Sequence, residues 1–171
     1  MTDIRIGIRL GQRLVLATAL FAAGGASAAQ FCTDLSGLPV TPNVLWPQVW
    51  EALNNQSSCT QNCHLGGSPS ADLDLSVPNI SIYFLVGQQS SQSLETMRVE
   101  PGNPQASLFW QKVACAVPDV GTAMPPPNGG ISIDLQALIY DWIDQGAYGE
   151  SSEDPIPRDY LFRASMESLR R

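Results

Sequence analysis

Four cysteines and one histidine are the soft ligands of this 171-residue chain. Two of the cysteines stand with the histidine in a single run, Cys59-Thr60-Gln61-Asn62-Cys63-His64. A thiolate is both nucleophile and metal ligand, and imidazole is the commonest metal-binding side chain. Two thiols followed at once by an imidazole suit covalent haem attachment: the thiols add across two vinyl groups and the imidazole sits beneath the iron. The usual signature is C-x-x-C-H. Here one more residue separates the thiols, which bulges the loop between them and leaves His64 beside Cys63. Three other readings stay open. Cys59 and Cys63 could form a disulfide, could join His64 and a further cysteine around zinc, or could flank an ordinary surface histidine.

A haem iron has two axial positions, and the single histidine can fill only one. The second falls to a methionine, a weaker donor or nothing. Past the first 28 residues the methionines are Met97, Met124 and Met166. Met97 lies in a polar stretch and Met166 close to the C-terminus. Met124 opens Met124-Pro125-Pro126-Pro127, an extended, stiff run able to hold a thioether in place at low reorganisation cost. The competing role for Met124 is core filler; the expectation is the distal iron ligand, so that His64 and Met124 are the expected metal ligands.

These side chains need elements to carry them. Pro47 marks a first helical turn, with Val49, Trp50 and Leu53 on one face up to about residue 54. Cys59 to Leu65 reads as turns with at most a brief helical turn, and residues 80–86, which have no clean period, as the start of a helix or a short strand. Residues 87–107 are polar and turn-rich. A helical window over residues 107–116 holds Leu108, Trp110 and Val113 and is closed by Pro118. Residues 121–130 are the least regular stretch. The clearest helix follows: Ser132 as N-cap, Asp134 in the first turn, a stripe of Leu135, Leu138, Ile139, Trp142 and Ile143, and Gly146 as the stop. The expected fold class is therefore all-α, three to five short helices with loops for nearly half the chain.

At the N-terminus Arg5, Arg9 and Arg13 precede an apolar stretch from Leu14 to Ala23, and Ala26-Ser27-Ala28 forms an A-x-A processing site. Residues 1–28 are expected to be a secretory signal, which places the rest in the periplasm or elsewhere outside the cytoplasm. The expected division of the remainder is an irregular leader over 29–43, one domain over 44–147, and an acidic tail over 148–171 with a short helix around 160–169. Nine Lys and Arg stand against sixteen Asp and Glu, a net charge of −7, and removal of the signal leaves six against fifteen, or −9. Such a balance opposes binding to nucleic acid. No apolar run reaches the ~18–20 residues of a membrane helix, so no integral membrane segment is expected after processing.

With these blocks in place, the chain resembles a monohaem, class I type cytochrome c, and is most similar to planctomycete-type domains with a C-x-x-x-C-H motif. Four blocks carry the resemblance in order and spacing: VWEALNNQSSCTQNCH over residues 49–64, VEPGNPQASLF over 99–109, Met124-Pro125-Pro126, and IYDWIDQGA over 139–147. The resemblance implies a small cytochrome c domain around one covalently attached haem c. It makes Cys59 and Cys63 the thioether donors, His64 the proximal ligand and Met124 the distal one. It also implies that the first and last helices cross, Val49, Trp50 and Leu53 meeting Ile139, Trp142 and Ile143. Arg98, Trp110 and Asn128 are candidates for the haem carboxylates by type and location only. The leader, the tail, Cys32 and Cys115 depart from the family pattern.

In an exported chain the two cysteines left over, Cys32 and Cys115, most economically pair, in a bond worth ~4–5 kcal/mol by the chain-entropy model; two separate buried thiols are the alternative. The function expected is one-electron transfer between a donor and an acceptor protein, at least one of them with a basic docking face. No catalytic residue is expected. The rivals are a haem-bearing subunit of a larger dehydrogenase or oxidase complex, and a haem enzyme with an open distal site. The descriptive terms that follow are cytochrome c, electron transfer, iron, metal-binding, signal peptide, periplasm and disulfide bond.

Overall fold

The computed structural model describes residues 30–56, 59–127 and 129–150. The expected secretory signal, the expected tail helix, Met166 and Asn128 lie outside these residues.

Helix α1, Trp46–Gln56, starts with Pro47 in its first turn, where a missing N–H costs nothing. Its apolar positions Trp46, Val49 and Leu53 recur at helical spacing and are buried. Helix α4, Ile133–Asp144, is capped by Ser132, whose side-chain oxygen accepts the Leu135 N–H at 3.3 Å. It stops at Gly146, which sits at φ +116°, where a Cβ would press on the Tyr148 ring. The two helices pack together as expected, with Val49, Leu53, Ile139, Trp142 and Ile143 in one core and Trp50 half-buried against it. The Trp46 N–H reaches the carbonyls of Tyr148 and Gly149, so the start of α1 is stitched to the chain just past α4.

Helix α2, Pro78–Leu85, leans on α1 through the Trp46 indole N–H, which donates to the Pro78 carbonyl at 2.7 Å. Helix α3, Leu108–Ala114, closes the bundle. Its Phe109 ring lies edge-on to Trp46 and Trp142, with centroids 6.3 and 6.4 Å away, while the two indoles are 4.9 Å apart. This three-ring cluster ties α1, α3 and α4 together. Aromatic pairs of this kind add ~0.5–1.5 kcal/mol each beyond the burial of their area.

The all-α expectation is corrected. Two small antiparallel sheets accompany the helices: β1 (Gln30–Cys32) pairs with β4 (Cys115–Val117), and β2 (Gln89–Ser90) pairs with β3 (Ser93–Met97). None of the four strands is long enough to show an alternating apolar pattern, which is why periodicity passes over them. The helical window expected to run to residue 116 breaks at Cys115, and the leader expected to be irregular opens with a strand. Cys32 stands opposite Cys115 in the ladder, and the two form a disulfide, as expected.

Candidate functional site

The step from Cys59 to His64 is five residues, one more than an α-helical turn spans. The chain absorbs the excess by closing Cys59–Cys63 as a single π-helical turn, in which the His64 N–H donates to the Cys59 carbonyl at 2.9 Å. Such i→i+5 closures are rare and concentrate at functional sites. The turn is moored to α1 by Thr60, buried, whose hydroxyl donates to the Asn54 side chain at 2.8 Å. The expected bulge between the thiols thus takes the form of a wider helical turn.

Beyond the turn the chain doubles back. The Leu75 N–H donates to the His64 carbonyl at 2.8 Å, and the imidazole Nδ1 lies 3.0 Å from the Leu73 carbonyl. A carbonyl can only accept, so Nδ1 carries the proton and Nε2 keeps its lone pair. Burial is the largest influence on the ring and pushes its pKa below 6.5, against the opposing hydrogen bonds to the Leu73 and Ser70 main chain; the charges of Arg98 and Lys112 push the same way as burial. Burial thus favours the neutral imidazole, with Nδ1 anchored on the Leu73 carbonyl.

That imidazole lines a cavity with about 850 Å³ of empty space, part of it open to solvent. Cys59, His64 and Met124 all line it, so three of the four expected site residues meet on one cavity although 65 residues separate Cys59 from Met124. Its apolar wall includes Leu53, Leu75, Leu85, Phe109 and Val113. Cys63 is exposed and is not among the lining residues. Met97 lines a separate groove beside Glu95 and Glu100, away from His64.

Met124 reaches the cavity from a loop hung on α3. Its N–H donates to the Lys112 carbonyl at 2.6 Å, and its carbonyl accepts the Gly130 N–H at 2.9 Å. The Gly129 N–H closes the same loop onto Pro125 at 2.8 Å. Gly129 adopts φ +70°, and a Cβ there would lie 2.6 Å from that of Ala123, so only glycine fits this bend.

The open readings of the motif separate here. Cys59 and Cys63 are both free thiols, not a disulfide. The expected metal-binding and iron descriptions are corrected: among the described residues no group of three or more His, Cys, Asp and Glu side chains could hold a metal ion. Zinc held by Cys59, Cys63, His64 and a further cysteine falls with them. The cavity presents an imidazole, a thioether and a thiol in an otherwise largely apolar lining.

Of the three carboxylate candidates, Arg98 lines the cavity, whereas Trp110 is buried against Tyr140 in the core and does not. Sequence reasoning missed Lys112, which also lines the cavity, and the Leu73 carbonyl. Lys112 was discoverable: with Arg98 it makes up the cations of residues 30–150. Comparison with family models, with curated proteins and with solved structures finds no match for this chain.

Proposed function

We propose that this chain is a c-type, one-electron carrier whose cavity holds a single haem c. The observation that supports the reading best is the convergence of Cys59, His64 and Met124 on one apolar cavity, with the His64 Nδ1 engaged by Leu73. Bound there, the group would supply a one-electron Fe(III)/Fe(II) couple. Cys59, Cys63, His64 and Met124 would hold the group, the two thiols through thioethers. The Leu73 carbonyl keeps the imidazole in one tautomer and orientation, and the apolar wall suits the face of a macrocycle.

A disulfide fits an oxidising compartment outside the cytoplasm. Among the described residues no helix is long and apolar enough to cross a membrane. The redox partners of so acidic a chain would carry at least one basic docking face, since transient electron-transfer encounters bury little area and rely on long-range fields.

Mass spectrometry of the denatured full chain, produced in cells able to attach haem, tests the reading. One haem of added mass, retained after denaturation, is expected; a chain without it overturns the proposal.

A further inference from the structure

Three of the four indole N–H groups donate to main-chain carbonyls. Trp46 reaches Pro78 at 2.7 Å, Trp50 reaches Leu75 at 2.8 Å and Trp142 reaches Tyr148 at 2.9 Å. The fourth, on Trp110, has no acceptor among the described residues, although the residue is only 1% exposed. A buried indole ordinarily finds an acceptor, because its donor otherwise gives up a bond to water and gains none in return.

Trp110 lines a second cavity, with about 740 Å³ of empty space, part of it open to solvent, which shares no lining residue with that of His64. Leader residues between 33 and 40 form one wall, and both ends of that wall are tied down. At one end Cys32 is bonded to Cys115, and the Thr33 hydroxyl donates to the Ala114 carbonyl at 3.1 Å. At the other the Thr41 N–H donates to Oδ2 of Asp141 at 2.7 Å, and the Gln145 amide donates to the Thr41 carbonyl at 2.7 Å. Facing the leader are Trp110 and one side of α4, with Ala137, Tyr140 and Asp141 at helical spacing.

Two carboxylates line this cavity, Asp34 and Asp141, and no Lys, Arg or His lines it with them. Asp141 is buried, and the one hydrogen bond it accepts, from Thr41, leaves its charge unmatched. Leu35, Leu38, Pro39 and Val40 make the leader side largely apolar.

We infer that this cavity binds a small organic amine that also carries an acceptor oxygen: the ammonium meets Asp34 and Asp141, the oxygen takes the Trp110 indole N–H, and the apolar part lies against the leader. Each group of the ligand answers a group of the wall. An acid would meet like charge, and a hydrocarbon amine would leave the indole donor bare.

Leucinamide has all three features. Isopentylamine keeps its ammonium and side chain without the carbonyl, and N-acetylleucinamide keeps the carbonyl without the charge. Each is titrated into the nitrogen-labelled full chain while the indole N–H resonances are followed by NMR. Leucinamide should move the Trp110 resonance saturably, leave those of Trp46, Trp50 and Trp142 in place, and bind about fivefold or more tightly than either analogue, the scale of one hydrogen bond. Asp34→Asn combined with Asp141→Asn retains an oxygen for each main-chain N–H. It should bring the preference over N-acetylleucinamide below about twofold and spare the preference over isopentylamine. Trp110→Phe should do the reverse. If either variant does not fold, the resonances and the three affinities of the unaltered chain decide. A Trp110 resonance that no probe moves, one that isopentylamine moves as far as leucinamide does, equal affinities, or preferences unchanged in folded variants would overturn the inference.

Discussion

Met124 hangs from Lys112. Its N–H donates to the Lys112 carbonyl at 2.6 Å, while the Lys112 side chain crosses to the Thr122 carbonyl at 3.1 Å, so one residue of α3 grips the loop at both ends of a three-residue step. Three residues on, Cys115 is bonded to Cys32, and the Ala114 carbonyl accepts both the N–H and the hydroxyl of Thr33. The methionine loop and the leader strand are thus both fastened to the C-terminal end of the same short helix.

Replacement of Met124 by Ala should remove the sulfur-to-iron charge-transfer band of the oxidised holoprotein, lower its reduction potential and open the iron to added ligands. The side chain is half-buried, so the loss of stability should stay under ~2 kcal/mol, at the low edge of core truncations. Visible spectroscopy before and after addition of imidazole is the check. Persistence of the band would send the distal role to another methionine.

Loss of the Cys32–Cys115 bond through paired serine substitutions should cost ~2–5 kcal/mol, because it closes a long loop and staples a strand pair only three residues long. Urea unfolding of the two proteins measures it. Thiol labelling of the denatured, unreduced parent should leave both residues unmodified, and labelling at either one would contradict the pairing.

At Gly129 a methyl group meets both an unfavourable φ of +70° and the Ala123 side chain. Gly129→Ala should destabilise the protein by ~1–2 kcal/mol from the backbone term alone. It should also weaken the Met124 contact, seen as tighter binding of added ligands by the holoprotein. A variant with parental stability and parental ligand affinity would show that the loop tolerates a different bend.

Asp74 follows the residue that anchors His64, and its carboxyl is held below the usual 3.8 first by the Ser76 hydroxyl and then by the Ser76 N–H. A depressed carboxylate contributes stability that is present above its unfolded pKa and lost as pH falls through its folded one. Ser76→Ala should therefore move the Asp74 pKa up toward 3.8, so that the contribution begins to fade at higher pH. A carbon-detected NMR titration of Asp74 reads this directly, and an unchanged midpoint would remove the hydroxyl from the account.

What could be read along the chain depended on how local its cause was. The cysteine spacing and the Ser132 cap are properties of a few consecutive residues and are found where expected, whereas the Met124 segment, expected to be extended, turns back so that the Gly130 N–H reaches the Met124 carbonyl. The stripe on α4 was visible for the same reason, since one face of a helix repeats every turn. The strands were not, because two to five residues paired largely through main chain leave no period to detect. The anchoring of His64 by Leu73 was invisible as well: a carbonyl has no sequence signature, and the contact depends on the turn through Ser70–Asp72. Lys112 carries no motif of its own, and only the fold places it with Arg98 on the lining of one cavity.

The scarcity of cations has a consequence for proteolysis. A trypsin-like protease cleaves after Lys and Arg, and between residues 30 and 150 it would find only two such bonds. One leads into Val99, which is wholly buried, and the other lies within α3. Neither can enter a protease cleft without local unfolding, so digestion across this stretch would report the opening free energy of the native protein and not the accessibility of a loop.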